Sequence, residues 1–188
     1  MPEADREKWN ARYAAGSHTG LEPSAFLTGL DGLLPREGRA LDVAGGAGRH
    51  ALWLARRGLA VTLLDVSDVA LSRARASAEE AGLLLETQQI DLAAQALPAG
   101  PWDLIVDSYY LERPLFSQFP SALAPGGWLV FCQPTRTNLE RNPQPGARFL
   151  LEDGELRGLV AGLEVVRYEE SWSDEGSYEA RLVARKPD

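Results

Sequence analysis

The sequence predicts a single doubly wound α/β domain on a mostly parallel seven-stranded sheet, with helices on both faces and an antiparallel last strand. Three observations predict it. Short, near-continuous apolar runs alternate with segments of helical period along most of the 188 residues, the pattern of a sheet covered on both faces. A glycine-rich turn follows the first such run, at the place where open α/β sheets bind ligands. The last two runs are joined by too few residues for a parallel crossover, which needs about a dozen or more, so they form a hairpin.

Each element has its own reason. "EADREKWNARYAA" (3–15) has helical spacing, with Trp9 and Tyr13 four apart on one face. Residues 16–38 are punctuated by Gly and Pro, with a short helix in "PSAFLTGLDGLL". "ALDVA" (40–44) reads as a buried strand and "GRHALWLARR" (48–57) as a helix that Gly58 ends. "AVTLLD" (60–65) is the second strand, and Ser67 caps the helix "DVALSRARASAEEA", which Gly82 stops. Strands follow at 83–90 and 102–108, then a helix over about 114–123 and a strand at 128–133. A helix over 151–162 and strands at 163–171 and 178–186 complete the chain.

Composition narrows the function. Net charge is −8, a sign that repels phosphate backbones, so nucleic acid is not the expected partner. No apolar run reaches the roughly 20 residues that span a bilayer, and the start, "MPEADREKWN", lacks an apolar signal core. A cytoplasmic protein, monomer or homodimer, is expected. The one cysteine, Cys132, excludes a disulfide framework and a cysteine zinc site and reads as a small buried hydrophobe. Two histidines make a histidine-rich metal site implausible, and no metal is expected. His50 reads as structural; His18, in a glycine-rich loop, is a candidate substrate contact.

The turn "DVAGGAG" (42–48) carries the chemistry. Gly46 and Gly48 let a ligand approach the backbone and permit torsions that other residues resist. The run from Gly46 to Ala51 also fits the dinucleotide pattern G-x-G-x-x-G/A, and Asp65, 19 residues beyond Gly46, suits a ribose in either case. Asp42 separates the two. A dinucleotide turn sets a pyrophosphate against backbone amides and the positive helix end, and a fixed carboxylate just before it repels that anion. The same carboxylate suits a cofactor with a cationic amine and no phosphate, such as S-adenosyl-L-methionine.

On these residues the chain resembles the class I S-adenosylmethionine-dependent methyltransferases, whose Rossmann-like fold the element order matches over about 40–186. "DVAGGAG" follows their first motif, (D/E)-x-G-x-G-x-G, with Ala44 in place of the first glycine. The resemblance implies a cofactor cradle of Asp42, Ala44, Gly45, Gly46 and Gly48, with Asp65 and Val66 at the ribose. It also implies Asp91 at the adenine amino group and Leu92 beside the ring. "LAPGGWLVF" (123–131) resembles the family's Pro-Gly-Gly turn into strand five. "WNARYAAG" followed by "EPSAFL" is similar to the amino-terminal lid of the tellurite-resistance-type and thiopurine-type methyltransferases. That makes 1–38 a lid segment of a single 1–188 domain and implies that Trp9, Arg12 and Tyr13 cover the cofactor.

The acceptor end is less defined. The tellurite-resistance relatives carry a His-Arg pair between the last two strands, where this chain reads "SWSDEGS"; the match departs there, and an anionic or metalloid-oxyanion acceptor stays open. Asp107-Ser108-Tyr109-Tyr110 ends strand four, where methyl acceptors lie in this family. It lacks both prolines of the D-P-P-Y signature of methyltransferases acting on nucleic-acid bases. Asp107 and Glu112 are candidate general bases, needed only where the acceptor must lose a proton. Tyr110, Arg113 and the loop arginines Arg136, Arg141 and Arg148 are candidate substrate contacts, the arginines for an anionic or oxyanionic acceptor. The expected activity is methyl transfer to a small molecule. Two other classes stay open: a cofactor-binding protein without catalysis, and a nicotinamide-dependent oxidoreductase.

Overall fold

The computed structural model describes residues 2–17 and 20–188. Its seven strands are β1 (Arg39–Val43), β2 (Ala60–Asp65), β3 (Glu86–Gln89), β4 (Trp102–Ser108), β5 (Leu123–Pro134), β6 (Glu164–Trp172) and β7 (Tyr178–Arg185). They form one sheet in the order β3-β2-β1-β4-β5-β7-β6. The first five pair in parallel, and β7 runs antiparallel to both β5 and β6. From β1 the chain winds outward through β2 and β3, then crosses back to β4 on the other side. The strand order therefore reverses between β1 and β4, which opens a crevice at their carboxyl ends.

Alternation along the strands divides the core in two. Leu41, Val43, Ile105, Phe131 and Leu182 face one side, with Leu115, Phe116, Phe119 and Leu156. Ala40, Leu63, Leu104, Val106 and Val183 face the other, against α2 (Ala25–Thr28), α3 (Arg49–Arg56) and α4 (Asp68–Glu80) through Leu27, Leu54 and Leu71. Both faces are covered, as the apolar strands require. The amino-terminal helix α1 (Pro2–Ala14) lies over the start of α4, where Asn10 accepts a hydrogen bond from the Ser67 hydroxyl and donates to Asp68. Ser67 caps α4 through the Ala70 amide.

Four boundaries differ from the sequence reading, each for a local reason. The third strand occupies 86–89 rather than 83–90, because Gly82 (φ 66) and Leu83 close α4 by donating to Glu79 and Ala78. Leu84 is consequently turned out, 93% exposed. The helix expected over 114–123 splits into a 3-10 turn at Arg113–Ser117 and one α-turn, α5 (Phe119–Ala122), because Pro114 and Pro120 supply no backbone donor. Strand five begins at Leu123 instead of 128, since Leu123 already pairs with Trp102 and the Pro-Gly-Gly stretch is an irregularity inside the strand. The helix expected over 151–162 shrinks to α6 (Leu156–Leu159). Leu151 bridges to Thr135, Gly154 adopts φ 79, and Asp153 and Glu155 are drawn into bonds with Thr137 and Arg113.

Candidate functional site

The turn after β1 sits in the crevice, and its small residues are each required by a neighbour. Ala44 has φ 50, a left-handed conformation that a Cβ resists by about 1 kcal/mol. A Cβ on Gly45 would strike the Asp42 carboxylate and Leu63, and one on Gly46 (φ 60) would strike the Tyr13 hydroxyl. Gly48 (φ 87) precedes α3 and lies 3.0 Å, from its would-be Cβ, to Ala74 of α4. These glycines therefore admit an acid beneath the turn and a phenol above it.

Two carboxylates converge there. Asp42, 1% exposed, accepts the Ala51 amide of α3 on Oδ2 at 3.0 Å, while Oδ1 is buried with no protein partner. Burial pushes its pKa up to about 7, against the opposing pull of the Ala51 amide and of Arg49. Asp65, at the end of β2, holds the turn in place. Its Oδ2 accepts the Gly46 amide at 2.9 Å and its Oδ1 the Ser67 amide at 2.8 Å. Each oxygen keeps a second lone pair for a hydroxyl. The Val66 carbonyl accepts from the Gln89 side chain at 3.1 Å.

Helix α1 roofs this turn. Trp9 and Tyr13, ring centroids 6.0 Å apart, pack on Ala47, Val69 and Ala70, so the pair forms a small core and a cover at once. The Tyr13 phenol is buried among Asp65, Arg49 and Asp42, and burial raises its pKa. Arg12 is exposed and lies 5.0 Å over the Trp9 ring. Lys8 reaches from the same helix to the Phe149 ring at 5.5 Å.

Across the crevice, Asp91 accepts the Ala93 amide at 3.0 Å, a turn-capping bond, and Leu92 is buried in the core beside it. Tyr110 is half-buried, and burial together with Glu112, Asp107, Asp91 and Asp5 raises its pKa. That phenol therefore lies within electrostatic reach of the end of β4, the turn after β3 and α1. Asp107, 1% exposed, is bonded by the Tyr110 amide and carries a buried, unpartnered Oδ1. Burial and the nearby Asp42 hold its pKa well above the usual carboxylate range. Glu112 precedes the 3-10 turn without capping it.

The arginines do not form one cluster. Arg113 makes a two-pronged bond to Glu155, at 2.6 and 2.8 Å. Arg136 pairs with Glu152 at 2.8 Å, Arg141 stacks on Trp172 at 4.0 Å, and Arg148 lies 4.4 Å over Phe149. His50 is buried, accepts the Ser24 amide on Nε2 at 3.3 Å, and has its pKa lowered by burial to about 3, so it is a neutral structural group. His18 lies outside the described residues. Among the described residues there is no group of three metal-ligating side chains and no helix long and apolar enough to cross a membrane.

Three residues carry no individual role in the sequence reading. Arg49, directly after the last glycine of the turn, faces Asp42 and Tyr13 and lies 5.5 Å over the Tyr109 ring. Tyr109 itself has φ 64, unusual for an aromatic residue, and donates to the buried Glu179 at 2.6 Å. Gln133, near the end of β5, is 2% exposed. Its signal was a lone amide in the apolar run "WLVFCQ".

This site fits S-adenosylmethionine. The orphaned Asp42 oxygen matches a cationic amine, Asp65 has acceptor capacity for ribose hydroxyls, and a carboxylate under the turn opposes a pyrophosphate. Residues 40–127 match the family described as a methyltransferase domain. The tRNA 5-carboxymethoxyuridine methyltransferase of Escherichia coli is 37% identical over 103 residues, covering 50% of this chain and 40% of that protein. The chain thus spans less than half the length of the curated relatives it matches. TehB from Haemophilus influenzae shares the fold with a TM-score of 0.74 at 19% identity, over 93% of this chain and 66% of that one. An S-adenosylmethionine-dependent methyltransferase from Mesorhizobium loti does so with a TM-score of 0.70 at 23% identity, over 89% of this chain and 100% of that one.

Proposed function

We propose that this protein transfers a methyl group from S-adenosylmethionine to a small-molecule acceptor, as a single domain whose residues 1–38 act as a lid. One observation carries the reading: a buried carboxylate with an unpartnered oxygen, Asp42, lies beneath a glycine turn that Asp65 ties to the next strand. Asp42 takes the amine of the cofactor, Asp65 with Val66 the ribose edge, and Asp91 with Leu92 the adenine. Ala44, Gly45, Gly46 and Gly48 keep the floor low, and Trp9, Arg12 and Tyr13 close over it. When bound, S-adenosylmethionine supplies a methyl group already activated on a sulfonium. The chain's own work is then to bind, align and desolvate the acceptor. Tyr110 lines the acceptor side, and Asp107 or Glu112 receives a proton where the acceptor must lose one. Arg113, Arg136, Arg141 and Arg148 border that side, each already held by a local partner.

The net charge of −8 favours a small acceptor over a polyanion. A tRNA acceptor is the second reading, favoured by what the Escherichia coli relative acts on. Methyl-labelled S-adenosylmethionine, incubated with the protein and either a metabolite extract or total tRNA, decides between them. Label in the small-molecule fraction is expected. Label in tRNA alone selects the second reading, and label in neither fraction leaves a binding protein without catalysis.

A further inference from the structure

Two polar side chains stand at the carboxyl ends of neighbouring strands on the same face of the sheet. In the β4–β5 register Asp107 pairs with Phe131, and Gln133 lies two residues further along β5. Side chains repeat every second residue on a strand, so Asp107, Phe131 and Gln133 share one face. Two residues of ~3.3 Å rise and one strand step of ~4.8 Å put the Cα atoms of the two polar residues about 8 Å apart.

Their hydrogen bonding is incomplete in the same sense. Gln133 donates its Nε2 to the Phe149 carbonyl, which fixes the amide's orientation and leaves Oε1 as the free atom. That Oε1 is buried and without a partner, as is Asp107 Oδ1. Both residues are at most 2% exposed. An unpaired buried acceptor costs about 1–3 kcal/mol, and two side by side are retained most simply by a ligand that donates to both. The surroundings fit a ligand end. Asp107 is among the charges that act on Tyr110, and Phe149, whose carbonyl orients Gln133, has Lys8 Nζ of the roof 5.5 Å from its ring centroid.

On the reading of this crevice as a methyltransferase site, we infer that Gln133 is a specificity residue that, with Asp107, selects an acceptor carrying N–H or O–H donors and rejects oxyanions. Two carbonyl-type oxygens repel a carboxylate or oxyanion and accept from an amine, amide or hydroxyl. Arginines at the rim, each held by a local partner, do not reverse that preference. The arrangement narrows the acceptor to a hydrogen-bond-donating small molecule, a class the fold alone leaves open.

The test uses the full chain saturated with S-adenosylhomocysteine and four probes: benzylamine, phenol, benzoate and tellurite. Calorimetry first measures the cofactor product, and ligand-observed NMR then ranks the probes. Benzylamine or phenol is expected to bind at least tenfold tighter than benzoate and tellurite. Gln133→Met, close in volume but without the amide, is expected to weaken the donor probe about tenfold while the cofactor product stays within threefold. If that variant is not folded, Gln133→Glu serves; it keeps an acceptor and is expected to favour benzylamine over phenol more than the wild type does. Tighter benzoate or tellurite, no donor probe binding, or donor binding indifferent to both substitutions overturns the inference while leaving the cofactor site intact. Failure of the cofactor product to bind overturns the methyltransferase reading and this inference with it.

Discussion

Replacing Asp42 with Asn tests the electrostatics of the site through two readouts of opposite sign. In the folded chain its pKa is raised from 3.8 to about 7, chiefly by burial. An acid whose folded pKa exceeds its unfolded value binds more protons when native, so its contribution to stability falls as pH rises from about 4 to about 7. The shift corresponds to about 4 kcal/mol at most, fully lost above pH 7 in the cofactor-free protein. Asn keeps the acceptor for the Ala51 amide but does not ionise. Urea unfolding without cofactor is therefore expected to give an Asn variant whose stability advantage over the wild type grows from pH 5 to pH 8. Asp65 and Asp107, also raised by burial, leave a residual slope in both proteins. Cofactor affinity moves the other way. Loss of a charge-assisted bond to the amine costs about 1.5–3 kcal/mol, roughly 10- to 150-fold in Kd. Equal pH slopes together with unchanged affinity would refute both the burial argument and the amine contact.

Other substitutions report on neighbouring parts. Asp65→Ala leaves the Gly46 and Ser67 amides unpaired, so it is expected to lower stability by about 1–3 kcal/mol per amide as well as weaken the cofactor; an unaltered unfolding midpoint would contradict that. Ala44→Gly removes left-handed strain of about 1 kcal/mol and adds a similar chain-entropy cost, so stability should hold within about 1 kcal/mol in thermal denaturation. A larger loss would mean that the Ala44 methyl packs usefully. Gly46→Ala pushes against the Tyr13 hydroxyl and should free α1, read as faster tryptic cleavage at Arg6 and Lys8; unchanged cleavage would show that the roof does not rest on the turn.

Much of this arrangement was legible from residue order. Ser67 as a cap and the hairpin of the last two strands both follow from local pattern, because capping and loop length are local properties. What was not legible depends on partners far along the chain. The Gly46 requirement comes from Tyr13 on another element, and the Arg113 commitment from Glu155, 42 residues away. Likewise Gln133 gains meaning only from its register with Asp107 and the Phe149 carbonyl. The short helices failed for a further reason: prolines and glycines inside apolar runs decide whether an amphipathic pattern becomes a helix, and the pattern alone does not show which tertiary bonds compete.

The central claim is that the acid-floored glycine turn holds S-adenosylmethionine and not a dinucleotide. Calorimetric titration of the full chain with S-adenosylmethionine, S-adenosylhomocysteine and NADH at pH 8 tests it most directly. The first two are expected to bind with micromolar Kd, about −8 kcal/mol, and NADH to give no saturable heat. Tight NADH binding without either methionine-derived ligand would contradict the account.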